Sequence, residues 1–271
     1  MMDKLQFLLN YNPILLALIA GIFTWFMTAL GAGIVVFFRK LNEKVTNAML
    51  GFASGVMIAA SFWSLLAPAI EMSEHLGAMK IVPIVFGFLF GGVFIYVVDR
   101  LVRKINLHKN TANNNLGGAL HKNLLLILSI TIHNIPEGLA VGVAFGALQK
   151  GDVDMLLSAI ILAVGIGIQN FPEGAAVSIP LRTSGMSIKK SFWYGQLSAI
   201  VEPIFAAVGA AVVVYIMAIL PFALSFAAGA MIYVVAGELI PEAQTGKGAG
   251  MATVSTMVGF AIMMVLDVSL G

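Results

Sequence analysis

His133-Asn134-Ile135-Pro136-Glu137-Gly138 stands in the middle of an apolar run, and Gln169-Asn170-Phe171-Pro172-Glu173-Gly174 repeats its pattern 36 residues later. Each run is long enough to cross a bilayer, which takes about 20 mostly apolar residues. Ionisable groups in such a place are costly and usually functional. In each copy a nitrogen or amide ligand precedes a carboxylate by four residues, which puts both side chains on one helical face, one turn apart. The pair reads as a metal clamp.

Composition sets the class around these two segments. The chain has 271 residues, 60% of them hydrophobic and 10% charged, with a mean hydropathy of +0.99. These values describe an all-α polytopic membrane protein whose solvent is the lipid bilayer. A pI near 8.8 reflects a net charge of only +2. No basic stripe carries interleaved aromatics, so no nucleic-acid partner is expected. Without cysteine there is no disulfide, thiolate site or thiol redox chemistry. Any metal must be held by imidazole, amide and carboxylate groups.

Eight crossings are expected, near 13–38, 47–70, 81–98, 123–148, 155–180, 192–217, 221–240 and 251–268, forming one transmembrane domain over residues 1–271. The first is too long for a signal segment and lacks a small-residue cleavage site before Arg39-Lys40. Twelve lysines and arginines fall in the loops after crossings 1, 3, 5 and 7, against three elsewhere (Lys4, Lys80 and Lys150). The positive-inside rule then places those loops in the cytoplasm and both termini outside, as expected for a cell or inner membrane protein. The long connection 100–122, with Asn113-Asn114-Asn115 and Gly117-Gly118, reads as a flexible cytoplasmic loop. Its His108 and His121 read as solvated bystanders. Gly51/Gly55, Gly87/Gly91 and Gly138/Gly142/Gly146 recur at four-residue spacing, which lets helices approach closely in lipid. The fifteen methionines are scattered and read as packing.

Pro136 and Pro172 cannot donate backbone hydrogen bonds, so kinks and freed carbonyls are expected beside the clamps. Two such helices facing one another would present His133, Glu137, Gln169 and Glu173 to one ion. Asn134 and Asn170 point about 100° away and suit a neighbouring second ion, with Glu137 and Glu173 bridging. Glu202, before Pro203 in the sixth crossing, is expected to join them. Glu238-Leu239-Ile240-Pro241-Glu242 is a third copy of the pattern at a membrane boundary. Glu238 reads as an exit-path ligand, and Glu242, Glu71, Asp99 and Asp267 as interfacial charges.

A buried histidine can also do no more than satisfy a polar neighbour between helices. Against that stand three central carboxylates with no lysine or arginine in the same zone. Their charge must be neutralised by protons, sodium or a divalent ion, which favours a cation path. A channel-like pore with the same ligands, an intramembrane metalloenzyme and a metal sensor are the rival readings. No HExxH sequence supports an enzyme, and no P-loop pattern supports ATP-driven pumping.

His133-Asn134-Ile135-Pro136-Glu137-Gly138, Asn170-Phe171-Pro172-Glu173-Gly174, Val201-Glu202-Pro203 and the eight-crossing layout together resemble the Zrt/Irt-like, or ZIP, family of divalent metal transporters. The second motif looks like its GufA branch. The resemblance covers most of the chain. It implies a 3+2+3 arrangement with an inverted repeat, helices 4 and 5 forming the metal path, and a binuclear centre at mid-membrane. The first site would use His133, Glu137, Gln169 and Glu173. The second would use Asn134, Asn170 and Glu202 and share Glu137 and Glu173. Relatives often carry histidine or aspartate where this chain has Gln169 and Asn170, and can carry histidine where Gly237 stands. The implied activity is transport of divalent metal into the cytoplasm, zinc first, with iron, manganese, cobalt or cadmium as alternatives. No catalytic cofactor is implied. The partners are the metal ions and the bilayer, with a homodimer allowed.

Overall fold

The computed structural model describes residues 6–40, 42–109, 117–148 and 152–270, and among them every regular element is a helix. The long helical segments are α1 (Pro13–Gly33), α2 (Glu43–Ala60, continued through Ala67–Met72), α3 (Ile81–Lys109), α4 (Gly117–Gly146) and α5 (Val153–Thr183). They are followed by α6 in two halves (Ile188–Leu197 and Val201–Tyr215), α7 (Leu220–Val234, continued through Ile240–Ala243) and α8 (Ala249–Leu270). Several starts are written locally. Asn12, Asn42, Asp152 and Ser187 each accept from a backbone N–H two or three residues on, satisfying donors that a helix N-terminus leaves free. Among the described residues seven helical stretches are long and apolar enough to cross a membrane. α4, with the first clamp, is the further long helix.

Two expectations change here. The connection expected over 100–122 is much shorter, because α3 continues to Lys109 and α4 begins at Gly117. Good helix formers such as Leu101, Arg103, Lys104 and Leu120 extend both helices past the apolar zone. Residues 110–116 and the side chains of His108 and His121 lie outside the described residues. The second concerns where the backbone becomes irregular, not whether α4 and α5 bend at their prolines. α4 stays helical through Pro136 and α5 through Pro172. Irregular backbone appears elsewhere. α2 widens to a π-turn at Ser61–Leu66 before Pro68, and α7 does so at Val235–Leu239 before Pro241. A proline ring clashes with the carbonyl four residues back, and an i→i+5 turn relieves the clash. Ala67 and Ile240 accordingly donate to the carbonyls five residues before them, Phe62 and Val235. α6 is interrupted at Ser198–Ile200.

The helices associate as two groups of four. α1, α4, α5 and α6 form one half, through α1–α5, α4–α6 and α1–α6 contacts; α2, α3, α7 and α8 form the other, through α2–α8 and α3–α7. Within each half, glycines lie directly on a neighbour's backbone. A Cβ at Gly138, Gly142 or Gly146 of α4 would strike α6, and one at Gly55 or Gly91 would strike the carbonyls of Thr256 and Phe226. The four-residue glycine spacing is therefore a packing device, as small residues are in lipid.

The same contacts reveal an internal two-fold. Exchanging α1 with α6, α2 with α7, α3 with α8 and α4 with α5 maps the seams onto one another. Gly55 against the Thr256 carbonyl matches Gly229 against that of Phe88, and Gly91 on Phe226 matches Gly259 on Phe52. The two π-turns, in α2 and α7, are exchanged as well. This is the symmetry of a 3+2+3 inverted repeat, with α4 and α5 as the central pair.

Candidate metal centre

The centre lies inside the first half, where α4 and α5 face one another and α1 and α6 close around them. His133, Asn134, Glu137, Gln169, Asn170, Glu173 and Glu202 are all buried, none more than 5% exposed. Four-residue spacing keeps each clamp on one face, and Gly138 and Gly174 let α6 and α1 press close behind the carboxylates. Gln169 Nε2 donates to Glu137 Oε1 at 2.7 Å, linking the two clamps. Asn170 Nδ2 donates to Glu202 Oε2 at 2.8 Å and to the Thr24 carbonyl at 3.2 Å. Asn134 Nδ2 donates to the Ser198 carbonyl at 3.0 Å, a group exposed by the interruption in α6.

After these bonds are counted, ten buried side-chain polar atoms among the described residues have no hydrogen-bond partner. Seven belong to this cluster: His133 Nε2, Asn134 Oδ1, Glu137 Oε2, Gln169 Oε1, Asn170 Oδ1, Glu173 Oε1 and Glu202 Oε1. Buried polar atoms are almost always paired. All seven can offer a lone pair, which is the complement that a cation requires. Among the described residues no three His, Asp or Glu side chains form a metal-holding group by themselves. Amides occupy three of the seven positions, and two of the carboxylates are turned onto amide donors.

Glu238 comes from the other half. It stands on the π-turn of α7, with Oε2 2.8 Å from His133 Nε2. The two have the separation of an ion pair without the alignment of a hydrogen bond. Glu242, one turn beyond, lies within electrostatic reach of both and lines a cavity of about 680 Å³. That cavity is also bounded by Lys40, Glu43 and Asn47, and by Ala175, Ala176 and Ile179 just after Glu173. A smaller cavity, about 360 Å³, lies at the opposite end and carries Glu71, Asp152 and Asp154. Asp267 accepts from Ser64 on its rim at 2.7 Å. Buried Val141 on α4 and Leu162 and Ile166 on α5 intervene along the helices between that cavity and the cluster.

The sequence profile of the family described as ZIP Zinc transporter matches residues 14–123 and 109–267. The chain belongs to the ZIP family. Zinc transporter ZIP11 of Xenopus tropicalis is 40% identical, over 97% of this chain and 99% of its own length. The human protein of that name is also 40% identical, with the same coverage. Zinc transporter GufA of Myxococcus xanthus is 37% identical over 94% of this chain and 98% of its own. Membership of this ZIP family agrees with the resemblance and with a non-enzymatic role. Two features of the site escaped the sequence reading. One is the interruption of α6 before Glu202. The other is the approach of Thr24 and Thr28 from α1, both buried. A signal for both exists: Gly21-x-x-Thr24 and Gly195-x-x-Ser198 are one pattern, one copy per repeat.

Proposed function

We propose that this ZIP-family chain carries divalent metal, zinc before iron, manganese, cobalt or cadmium, from the extracytoplasmic side into the cytoplasm through a binuclear centre. The observation that carries this reading is the convergence, between α4, α5 and α6, of seven buried ligand atoms without a hydrogen-bond partner, His133 Nε2 among them standing 2.8 Å from the Glu238 carboxylate. His133, Glu137, Gln169 and Glu173 hold the first ion, and its imidazole nitrogen suits zinc. Asn134, Asn170 and Glu202 hold the second through oxygen alone, with Glu137 and Glu173 bridging. The zinc transporters named above are relatives over nearly the whole chain, which supports the order of metals.

Movement of the ligand-bearing half against the other exposes the centre to one side at a time. Glu238 receives the ion as it leaves His133, and Glu242 passes it to the larger cavity. The basic loops put that cavity at the cytoplasmic face and both termini outside, in the cell membrane. Three carboxylates facing two divalent ions balance most of the charge that would otherwise oppose burial.

Uptake into proteoliposomes holding only this protein, compared across zinc, iron, manganese, cadmium and copper, tests class and selectivity together. Saturable zinc uptake is expected, and metal binding without flux would overturn transport. The cysteine-free chain also permits single-cysteine labelling. Asp152→Cys is expected to react with an impermeant thiol reagent from outside, and Asn113→Cys only once the cytoplasmic face is opened. External labelling at 113 in uniformly oriented protein would reverse the assigned direction.

A further inference from the structure

The internal two-fold assigns residues of α1 a place beside the second ion. Asn170 donates to the Thr24 carbonyl on α1 as Asn134 donates to the Ser198 carbonyl on α6. The Thr24 hydroxyl donates to the Gly21 carbonyl at 3.0 Å, and the Ser198 hydroxyl to that of Gly195 at 2.7 Å. Gly174 rests against the Thr28 carbonyl as Gly138 rests against that of Glu202. Thr28 follows Thr24 by four residues and Glu202 follows Ser198 by four. The position that holds a carboxylate on α6 therefore holds a hydroxyl on α1.

We propose that Thr28, with Thr24 one turn before it, is a positioning residue for the second ion, holding the Glu202 carboxylate and the Asn170 amide in place from α1. Both threonines are essentially inaccessible, at 1% and 0% exposure, and both lie beside the Glu202 carboxyl, the Thr24 hydroxyl giving its own proton to the Gly21 carbonyl. A threonine inside a helix ordinarily bonds back to the carbonyl four residues before it. For Thr28 that bond is long, 3.4 Å, so its own helix holds the hydroxyl only weakly. Asn170 is gripped on its Nδ2 side by the Thr24 carbonyl and Glu202, so its Oδ1 is the end left for an ion. The hydroxyl in the α1 position also makes the second site one-sided, with its own charge supplied from α6 alone.

The inference rests on the two-ion reading, and calorimetric titration of the purified full chain with zinc and with manganese separates the two. Wild type is expected to take two ions. Thr28→Val, which keeps the shape and loses the hydroxyl, is expected to weaken the second ion by about tenfold, the scale of one hydrogen bond to a charged group, while the first ion's affinity stays within about twofold. Thr28→Ser is expected to restore the loss. Thr28→Glu places a carboxylate in the position equivalent to Glu202 and is expected to tighten the second ion by at least about tenfold. Two ions in wild type, with second-ion affinity unchanged in Thr28→Val and Thr28→Glu, would overturn the role of α1 alone. One ion in wild type would overturn the two-ion reading and this inference with it. If Thr28→Val does not fold, Thr28→Glu against Thr28→Ser decides, and equal second-ion affinity in those two variants counts against the proposal.

Discussion

The two halves of the molecule are built by the same packing rule and loaded with different chemistry. In each, glycines bring helix backbones into direct contact, at α4–α6 and α1–α5 in one half and α2–α8 and α3–α7 in the other. Yet all seven clustered acceptors lie in the first half, and the second brings Glu238 to their edge with Glu242 one turn behind it. Between the halves the packing changes in kind. Gly165 of α5 meets the flexible end of the Met263 side chain of α8, whereas most glycines of the seams within a half meet backbone, Gly167 against Phe23 being an exception. Tight backbone seams resist shear, while a side-chain interface can repack. The difference teaches that the clustered acceptors share the half whose seams are backbone-tight, while Glu238 approaches them from the other.

The strongest way to break this comparison is to remove ligands from each half in turn. His133→Ala and Glu137→Ala are each expected to lower saturable zinc uptake on the order of 100-fold at matched protein level, since even groups that only support metal ligands are worth 10- to 100-fold. Glu238→Ala is expected to cost only several-fold on the proposed reading of Glu238 as an exit group. Proteoliposome flux measures all three. Near-normal uptake by both clamp variants would show that the centre is not the path.

A cross-link sharpens the division. Gly165→Cys with Met263→Cys ties α5 to α8 across the halves, and Phe90→Cys with Phe226→Cys ties α3 to α7 inside one of them, where the rings are 6.0 Å apart. A short reducible bis-thiol reagent is expected to stop uptake in the first pair by about tenfold or more, reversibly on reduction, and to leave the second near its starting rate. Equal inhibition of both pairs would argue against motion between these halves.

Stability gives a smaller effect. Gly142→Ala forces a methyl onto the backbone of Ala206, whereas Gly33→Ala meets nothing nearby. The first is expected to destabilise by about 1–3 kcal/mol, as overpacking does. The second is expected to be neutral or to stabilise slightly, in the direction of alanine's better helix propensity. Thermal melts in detergent compare them, and equal melting temperatures would remove the seam argument.

Much of this was legible in the sequence because membrane chemistry is restrictive. A histidine, two glutamates and a glutamine in apolar runs had few roles open to them, and a four-residue spacing fixed their common face. The glycine periods also announced their contacts. What could not be read were features set by tertiary geometry. α4 and α5 run on as helix through Pro136 and Pro172, while the backbone is irregular before Glu202 in α6 and at the turns preceding Pro68 and Pro241, where tertiary contacts decide it. Thr24 and Thr28 look like ordinary helix-packing residues until α1 is laid beside α5 and α6. The polar reach of α3 and α4 beyond the membrane was underestimated because asparagine and glycine around 110–118 outweighed the helix formers flanking them.

The subtlest effect expected is at Asn170, where charge and proton competition meet. On the two-ion reading, Glu137, Glu173 and Glu202 carry at most three negative charges toward four positive ones, so the second ion is expected to be held more weakly than the first. Asn170→Asp supplies a fourth charge and is expected to tighten it. The same change removes the two hydrogen bonds that Asn170 Nδ2 gives to Glu202 and to the Thr24 carbonyl. It thereby sets two carboxylates side by side, so the metal-free protein becomes less stable while the loaded one gains, and the metal-induced rise in melting temperature grows. Tighter holding slows release, so turnover falls as affinity rises. Carboxylates bind metal only when deprotonated. Protons therefore compete at low pH, affinity rises as pH rises through the titration of the cluster, and metal entry releases protons. Titration of wild type and Asn170→Asp at several pH values checks each sign. Unchanged stoichiometry and affinity in the variant would remove Asn170 from the second site, and binding indifferent to pH would refute the competition.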